Sequence, residues 1–363
     1  MARALPFALL LLTLAIPGCE RTKIIDQISI IHTVGYDIQE DGQYRGTILY
    51  PDYTKSKSQE NIQIRKARGS TSSILFSKAN EQTKNSIELS KVQEIVFGEE
   101  FAKKGIGHII DTVFNNPMIA TDIQTAVVTP TARKYLEGVK ENGTLGIADT
   151  IVQNYTTSLL PRTNLHIFLN NYYGEGRDPY MPILMLGGGD KNVSVGGIAL
   201  FKDDQLKLTL NNKQTFFLGL LDEYKHMGQH EIPFTKDSKT GTLVVRIMDN
   251  KSEWKVRKSG PNPEIDLFLN VFVIIREYPN WIDLHKEGDI QLLEKTIKRN
   301  FKGEISRLVA SFKEKGVDPL GFGDRTRASD RTWEEKKFYK EQYSKLKVNI
   351  DINLTIIQAG IMS

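Results

Sequence analysis

The stretch GDIQLLEKTIKRNFKGEISRLVASFKEK, residues 288–315, places Ile290, Leu293, Ile297, Phe301, Ile305, Leu308 and Phe312 three or four apart, with charges between them. That period puts the apolar side chains on one stripe of a long helix. Such a stripe needs a partner. KVNIDINLTII, 347–357, alternates strictly, with Val348, Ile350, Ile352, Leu354 and Ile356 on one face. In EIDLFLNVFVII, 264–275, Ile265, Leu267, Leu269, Val271, Val273 and Ile275 share a face while Phe268, Phe272 and Ile274 take the other. This run reads as a central strand buried on both sides. Two further strands are expected across GTLVVRIMDNKSEWKVRKS, 241–259. The C-terminal half is therefore expected to be an antiparallel sheet covered by one long helix. A membrane-surface role for that helix is the weaker reading, because its polar face mixes both charge signs and the strands require a cover.

Working towards the N-terminus, VSVGGIALFKDDQLKLTL, 193–210, reads as a hairpin turning at Asp203–Asp204, followed by a helix over 212–224. The stretch 170–192, NNYYGEGRDPYMPILMLGGGDKN, is broken by Gly and Pro and reads as a connector. Its Gly187–Gly189 run lacks the Gly-Lys-Ser/Thr that a phosphate loop requires. Before it, strands at 27–38, 44–53, 60–69, 92–98 and 122–130 alternate with a helix capped by Ser70 or Thr71 and with helices across 99–115, 131–140 and 145–158. The fold class is α+β, or mixed α/β, with sheets flanked by helices in two or three packed subdomains. The division expected is a signal peptide at 1–18, an N-terminal domain at 19–185 and a C-terminal domain at 186–363.

The chain's one cysteine, Cys19, stands in LLLTLAIPGCERTK, 10–23. The apolar run Leu5–Ile16 is too short for a membrane span, which needs about 20 residues. It has the length of a signal-peptide core, with Arg3 before it. Ile16 at −3 and Gly18 at −1 relative to Cys19 form a lipobox, with Pro17 a less usual residue between them. Cys19 is the expected lipidation site, and two acyl chains give durable attachment where one does not. With that thiol modified there is no disulfide, cysteine nucleophile or cysteine-ligated zinc.

A formal net charge of +4 on 363 residues gives no case for nucleic acid. HMGQH, 226–230, offers a histidine pair at i, i+4 with Glu223 upstream, but Gly228 and the following His-Glu-Ile-Pro end the helix there. A solvated helix end is expected, with no metal site. There is no Gly-x-Ser-x-Gly elbow. No catalytic residue and no cofactor is assigned. The segment Gly321–Arg331 reads as a loop, with Phe322 between two glycines either packed or displayed, and with Arg325, Arg327 and Arg331 available to an acidic partner or anionic headgroups. These four are the candidate partner-binding residues.

Six segments in order resemble the Ger(x)C family of spore germination lipoproteins: the lipobox at Cys19, TVGYDIQEDGQY at 33–44, ARGSTSSILFSKAN at 67–80, VQEIVFGEEFAKKGIGHIID at 92–111, VGGIALFKDDQLKLTLN at 195–211 and GVDPLGFGDRTRASDRTW at 316–333. Glu20 departs from the Trp that often follows the lipidated cysteine in that family. The resemblance implies a non-catalytic C subunit of a nutrient germinant receptor, lipid-anchored on the outer face of the inner spore membrane. Its implied partners are two integral membrane subunits, of A and B type. The rival reading is a lipid-anchored solute-binding protein, which needs a deep pocket between two similar lobes, and the halves here do not repeat each other; beside the protein partners, at most a weak small-molecule contact is expected.

Overall fold

A computed structural model describes residues 28–52, 61–83, 85–143, 147–156, 160–187, 193–222 and 225–359. Cys19, Gly188, Gly189 and Glu223 lie outside the described residues.

The first half builds strands β1 (Ile28–Ile30), β2 (Thr33–Ile38), β3 (Tyr44–Asp52), β4 (Asn61–Gly69), β5 (Ser86–Glu88), β6 (Glu94–Gly98) and β7 (Gln124–Thr129). Its helices are α1 (Ser72–Asn80), α2 (Glu99–Lys104), α3 (Gly107–Phe114), α4 (Ala132–Glu141), α5 (Ile147–Thr156) and α6 (Leu165–Tyr173). β8 (Tyr180–Leu186), β9 (Val193–Lys202) and β10 (Gln205–Leu210) follow. Among the described residues these make an eight-stranded sheet ordered β10-β9-β8-β7-β6-β2-β3-β4, beside a small β1–β5 pair. The four central strands β2, β6, β7 and β8 are parallel, and antiparallel hairpins extend both edges.

Parallel strands bury both faces. One face packs Phe97, Val127 and Met181 against Phe101, Ile109, Ile110 and Phe168 of α2, α3 and α6. The other packs Val96, Ala126 and Val128 against Tyr135, Leu136 and Ile151 of α4 and α5. Short polar side chains start the helices. Thr71, Thr131 and Asn164 each accept an N–H from three residues on, worth about 1 kcal/mol apiece. Asp37 at the end of β2 accepts from the backbone N–H groups of Ala132 (2.8 Å) and Arg133 (2.9 Å), fixing α4 to the sheet.

Glu94 opens β6 fully buried, with Oε2 accepting weakly from Thr33 Oγ1 at 3.4 Å. Burial pushes its carboxyl up to about 8. The folded chain thus holds a proton that the unfolded chain releases near pH 4.3. The stabilisation is complete below that value and is lost as pH rises through the folded pKa near 8. Glu94→Gln should therefore flatten the decline in unfolding free energy between pH 5 and 8 by roughly 2–4 kcal/mol. Urea unfolding across that range checks it, and parallel pH curves for the two proteins would refute it.

The second half comprises α7 (Asn212–Leu221), β11 (Gln229–Lys236), β12 (Lys239–Lys258), β13 (Glu264–Glu277), α8 (Glu287–Lys315), α9 (Phe322–Ser329) and β14 (Lys347–Ala359). Strands β11–β14 form a second sheet in chain order. α8 covers it, burying Leu293, Ile297, Phe301, Ile305, Leu308 and Phe312 against Leu267, Leu269, Val271, Ile350 and Leu354.

Four sequence expectations need correction. β12 is one 20-residue strand, where two were expected. Its register shifts at Val244/Val245, Ile247/Asp249 and Val256/Lys258 let it follow the long β13 without a turn. β14 joins β13 in parallel, so the sheet is antiparallel over only three of its four strands. The 29-residue α8 is the reason: it carries the chain back to the end where β13 began. β13 is buried on one face only, with Phe268 and Phe272 38% and 39% exposed. Finally, β8 lies inside the expected connector at 170–192. Its Pro182 precedes the pairing with β7, which begins at Ile183, so the missing N–H removes no bond from that ladder.

The hairpin turning at Asp203–Asp204 forms as read, but it closes the first sheet. β9 then serves two cores. Ala199 and Phe201 pack with the first-half helices. Ile198 and Leu200 face α7 and the second sheet.

Candidate functional site

The two halves meet again at Asp318–Arg331, which takes in the segment singled out in the sequence, Gly321–Arg331, and the three residues before it. α8 stops at Gly316, whose left-handed backbone (φ 67°) caps the helix. Asp318 follows, fully buried. Its carboxylate accepts the backbone N–H groups of Phe322 (2.9 Å) and Gly323 (2.8 Å), and the Tyr339 hydroxyl at 3.0 Å. It thereby caps the start of α9, where a negative charge also meets the positive helix end.

The partner of this turn is Glu175–Asp178, from the first half. Asp318 N–H donates to Asp178 Oδ2 (2.7 Å), and Asp178 N–H donates to the Asp318 carbonyl (2.9 Å). Asp324 N–H donates to the Gly176 carbonyl (2.9 Å), and Gly176 N–H to Glu335 Oε1 (2.9 Å). Gly176 has φ +83°, and a Cβ there would be driven into the backbone of Gly323 and Asp324. Only glycine lets the two backbones come this close. Lys202, at the end of β9, completes the clasp. Its ammonium lies 3.1 Å from Asp178 Oδ1 and 3.9 Å from the centroid of the Tyr339 ring.

Burial sets the electrostatics. Desolvation, with the Asp178 charge adding to it, pushes the Asp318 carboxyl up to about 6, against the pull of its backbone and tyrosine donors. Asp178 is also raised, by burial that outweighs Lys202. Burial and the two neighbouring carboxylates hold the Tyr339 hydroxyl protonated. The donors and acceptors of this cluster are committed to one another. What the arrangement does is lock the halves together.

The four candidate partner-binding residues fare differently. Phe322 is fully buried, edge-on to Trp254 at 5.5 Å, so it is a packing residue and is not displayed. The expected loop is mostly helix, because the Asp318 cap nucleates α9. Arg325 lies over Trp254, 5.3 Å from the ring centroid, and Nε donates to the Leu320 carbonyl at 3.3 Å. Arg327 is exposed, 2.9 Å from Asp324 and 3.9 Å from Glu175. Arg331 is exposed just beyond α9. Asp178, Lys202 and Tyr339 were not singled out in the sequence. The one signal pointing to Asp178 is its setting in GEGRDP, a turn-forming run read only as a connector.

HMGQH also departs from expectation. His226 and His230 are both buried, where a solvated helix end was expected. His226 N–H donates to Asn250 Oδ1 at 2.7 Å, and His230, on β11, pairs its Nε2 with Asn300 Oδ1 at 3.1 Å. Among the described residues no group of three or more His, Cys, Asp or Glu is placed to hold a metal.

Family comparison covers both halves. Residues 21–186 match the spore germination protein N-terminal domain, and residues 196–360 match the spore germination B3/GerAC-like C-terminal domain. The chain belongs to the GerAC-like spore germination family. The spore germination protein GerQC of Bacillus cereus is 26% identical over 97% of this chain and 98% of its own length. The putative spore germination protein YfkR of Bacillus subtilis (strain 168) is 22% identical over 97% and 96%. The crystal structure of the GerBC protein shares the fold with a TM-score of 0.56 at 13% identity, covering 89% of this chain and 96% of that one. In this GerAC-like chain, the gap between the two family segments falls across the β8–β9 hairpin.

Proposed function

We propose that this protein is the lipid-anchored, non-catalytic C subunit of a spore nutrient germinant receptor, held through Cys19 on the outer face of the inner spore membrane beside integral A-type and B-type subunits. The observation that carries the reading is the end-to-end match to a spore germination protein, across both family segments. The clasp supports it: a body whose halves share β9 and are tied by Asp178 and Asp318 suits a rigid docking element. Among the described residues no helix is long and apolar enough to cross a membrane. In this reading residues 1–18 are removed, 19–185 and 186–363 are the two family domains, and the diacylglycerol on Cys19 is the membrane attachment.

Cys19→Ala should release the protein from spore membranes or leave an uncut precursor, with loss of germination through that receptor. Fractionation and mass spectrometry decide it, and an unmodified thiol in membrane-bound mature protein refutes the anchor. The partner surface centres on Arg327 and Arg331, since Phe322 is buried and Arg325 is engaged with Trp254. Arg327→Ala with Arg331→Ala should change stability by less than about 1 kcal/mol and abolish co-purification of the membrane subunits. Normal co-purification would remove this surface from the receptor interface.

A further inference from the structure

In the first half, α1 packs over β3 and β4 at one end of the eight-stranded sheet, and α3 is buried on the same face. Between the two helices lies a cavity of about 220 Å³. Its floor is the sheet itself, Val34 and Tyr36 of β2 beside Ile95 of β6, each no more than 2% exposed. Val34 and Ile95 are register partners on parallel strands, so their side chains rise side by side from one face. Phe76 of α1, Val113 of α3 and Val92, from the link between β5 and β6, add apolar wall. Leu89 and Ile119 complete it and are only partly buried, which sets them towards solvent.

Nothing in this lining asks for a charge. Among the described residues no Asp, Glu, Lys, Arg or His lines the cavity. The polar groups that do are mostly committed within the protein. The Tyr36 hydroxyl and Ser72 Oγ bond each other at 2.9 Å, and Thr112 Oγ1 donates to the His108 carbonyl at 2.7 Å. Asn116 Oδ1 accepts the Met118 N–H at 3.0 Å, and Ser73 is exposed. Burial pushes the Tyr36 hydroxyl up to about 12, so the phenol stays neutral. An ion moved here would leave water and find no opposite charge, which is costly.

Volume sets the size of the occupant. An apolar cavity of about 150 Å³ holds a benzene ring, whereas drug-sized ligands take about 300 Å³ or more. The space between α1 and α3 falls between these limits and fits one ring with a short substituent, or a branched aliphatic body of like size. A cavity walled this way costs the fold packing contacts, and an apolar occupant returns them.

We propose that this cavity is a ligand site for a small uncharged molecule whose apolar body is the size of a single ring. Such a ligand touches α1, α3, β2 and β6 at once and stiffens the N-terminal domain. The site goes beyond the receptor-subunit reading and does not depend on it.

The test uses acetophenone, with benzoate as its charged near-isostere, titrated at pH 7 into the full mature chain labelled at isoleucine and valine methyl groups. Acetophenone should move the methyl resonances of Val34, Val92, Ile95 and Val113 saturably and raise the melting temperature. Benzoate should do neither. Two substitutions fill the cavity from the protein side. Val113→Ile adds one methylene and should weaken acetophenone by about threefold. Val113→Phe adds a ring and should abolish binding; should that variant not fold, Val113→Ile still decides. No saturable methyl shift up to about 10 mM acetophenone, where even millimolar sites fill, would overturn the proposal. So would saturable shifts confined to methyl groups elsewhere, equal binding of benzoate, or unaltered acetophenone affinity in Val113→Ile. Binding is read on the isolated chain, so its failure leaves the receptor-subunit reading standing, and a failure of co-purification leaves this one standing.

Discussion

Phe301→Ala is expected to lower the unfolding free energy by about 3–5 kcal/mol. The ring is fully buried at the middle of α8. It meets Phe217 edge-on at 5.4 Å, Phe216 at 6.2 Å and His230 at 6.0 Å. Those three neighbours come from α7 and β11, so one side chain ties the long helix to both the short helix and the second sheet. The deletion leaves a void that rigid aromatic walls fill poorly, which places the loss in the upper part of the range for truncation. Phe301→Leu restores most of the volume and should recover all but about 1–1.5 kcal/mol. The measurement is the urea midpoint at constant slope. A change below about 1 kcal/mol for the alanine variant would mean that α8 presents this face elsewhere.

That prediction was available from the sequence, and the reason is periodicity. The stripe of α8 and the alternation of β14 are each carried by five or more residues at one spacing, so local chemistry alone reports them. What periodicity cannot report is direction. An alternating strand buries the same residues whether its neighbour runs parallel or antiparallel, and the parallel pairing of β14 follows from α8 being a crossover. Asp249–Glu253 looks like a turn, yet β12 passes straight through it, because its bonds to β13 outweigh local propensity. The fold class followed from strands and helices alternating along the chain, and the family likeness agreed with the order of the segments. The clasp stayed hidden for a different reason: Asp178 and Asp318 are 140 positions apart, and no local rule pairs them. Phe322 carried a real signal, since a large ring between two glycines is a packing device as readily as a displayed one. The cap on Asp318 settles which, by turning the ring inward against Trp254.

Asp318→Ala should be the most damaging single change at the junction, with an expected loss of about 3 kcal/mol or more. The carboxylate serves the N–H groups of Phe322 and Gly323 and the hydroxyl of Tyr339. Removing it orphans three buried donors, each worth about 1–3 kcal/mol when left unpaired. Part of that is offset, because the variant no longer buries a carboxylate whose pKa is raised to about 6. The offset also has a pH signature. A raised folded pKa means that the protonated form of Asp318 is favoured by folding, so its contribution is fullest below about pH 4 and falls as pH rises through about 6. The alanine variant should lack this slope. Asp178→Ala breaks the same contact from the other side, removing the acceptor of the Asp318 N–H and the partner of Lys202. The two changes share a network, so their effects should be less than additive by about 1 kcal/mol or more in a double-mutant cycle. Strict additivity would show that the carboxylates act separately, Asp318 as a helix cap and Asp178 as an ion-pair partner. Non-additivity together with faster proteolysis across 174–192 would show that the junction opens as one unit, and with it the surface bearing Arg327 and Arg331.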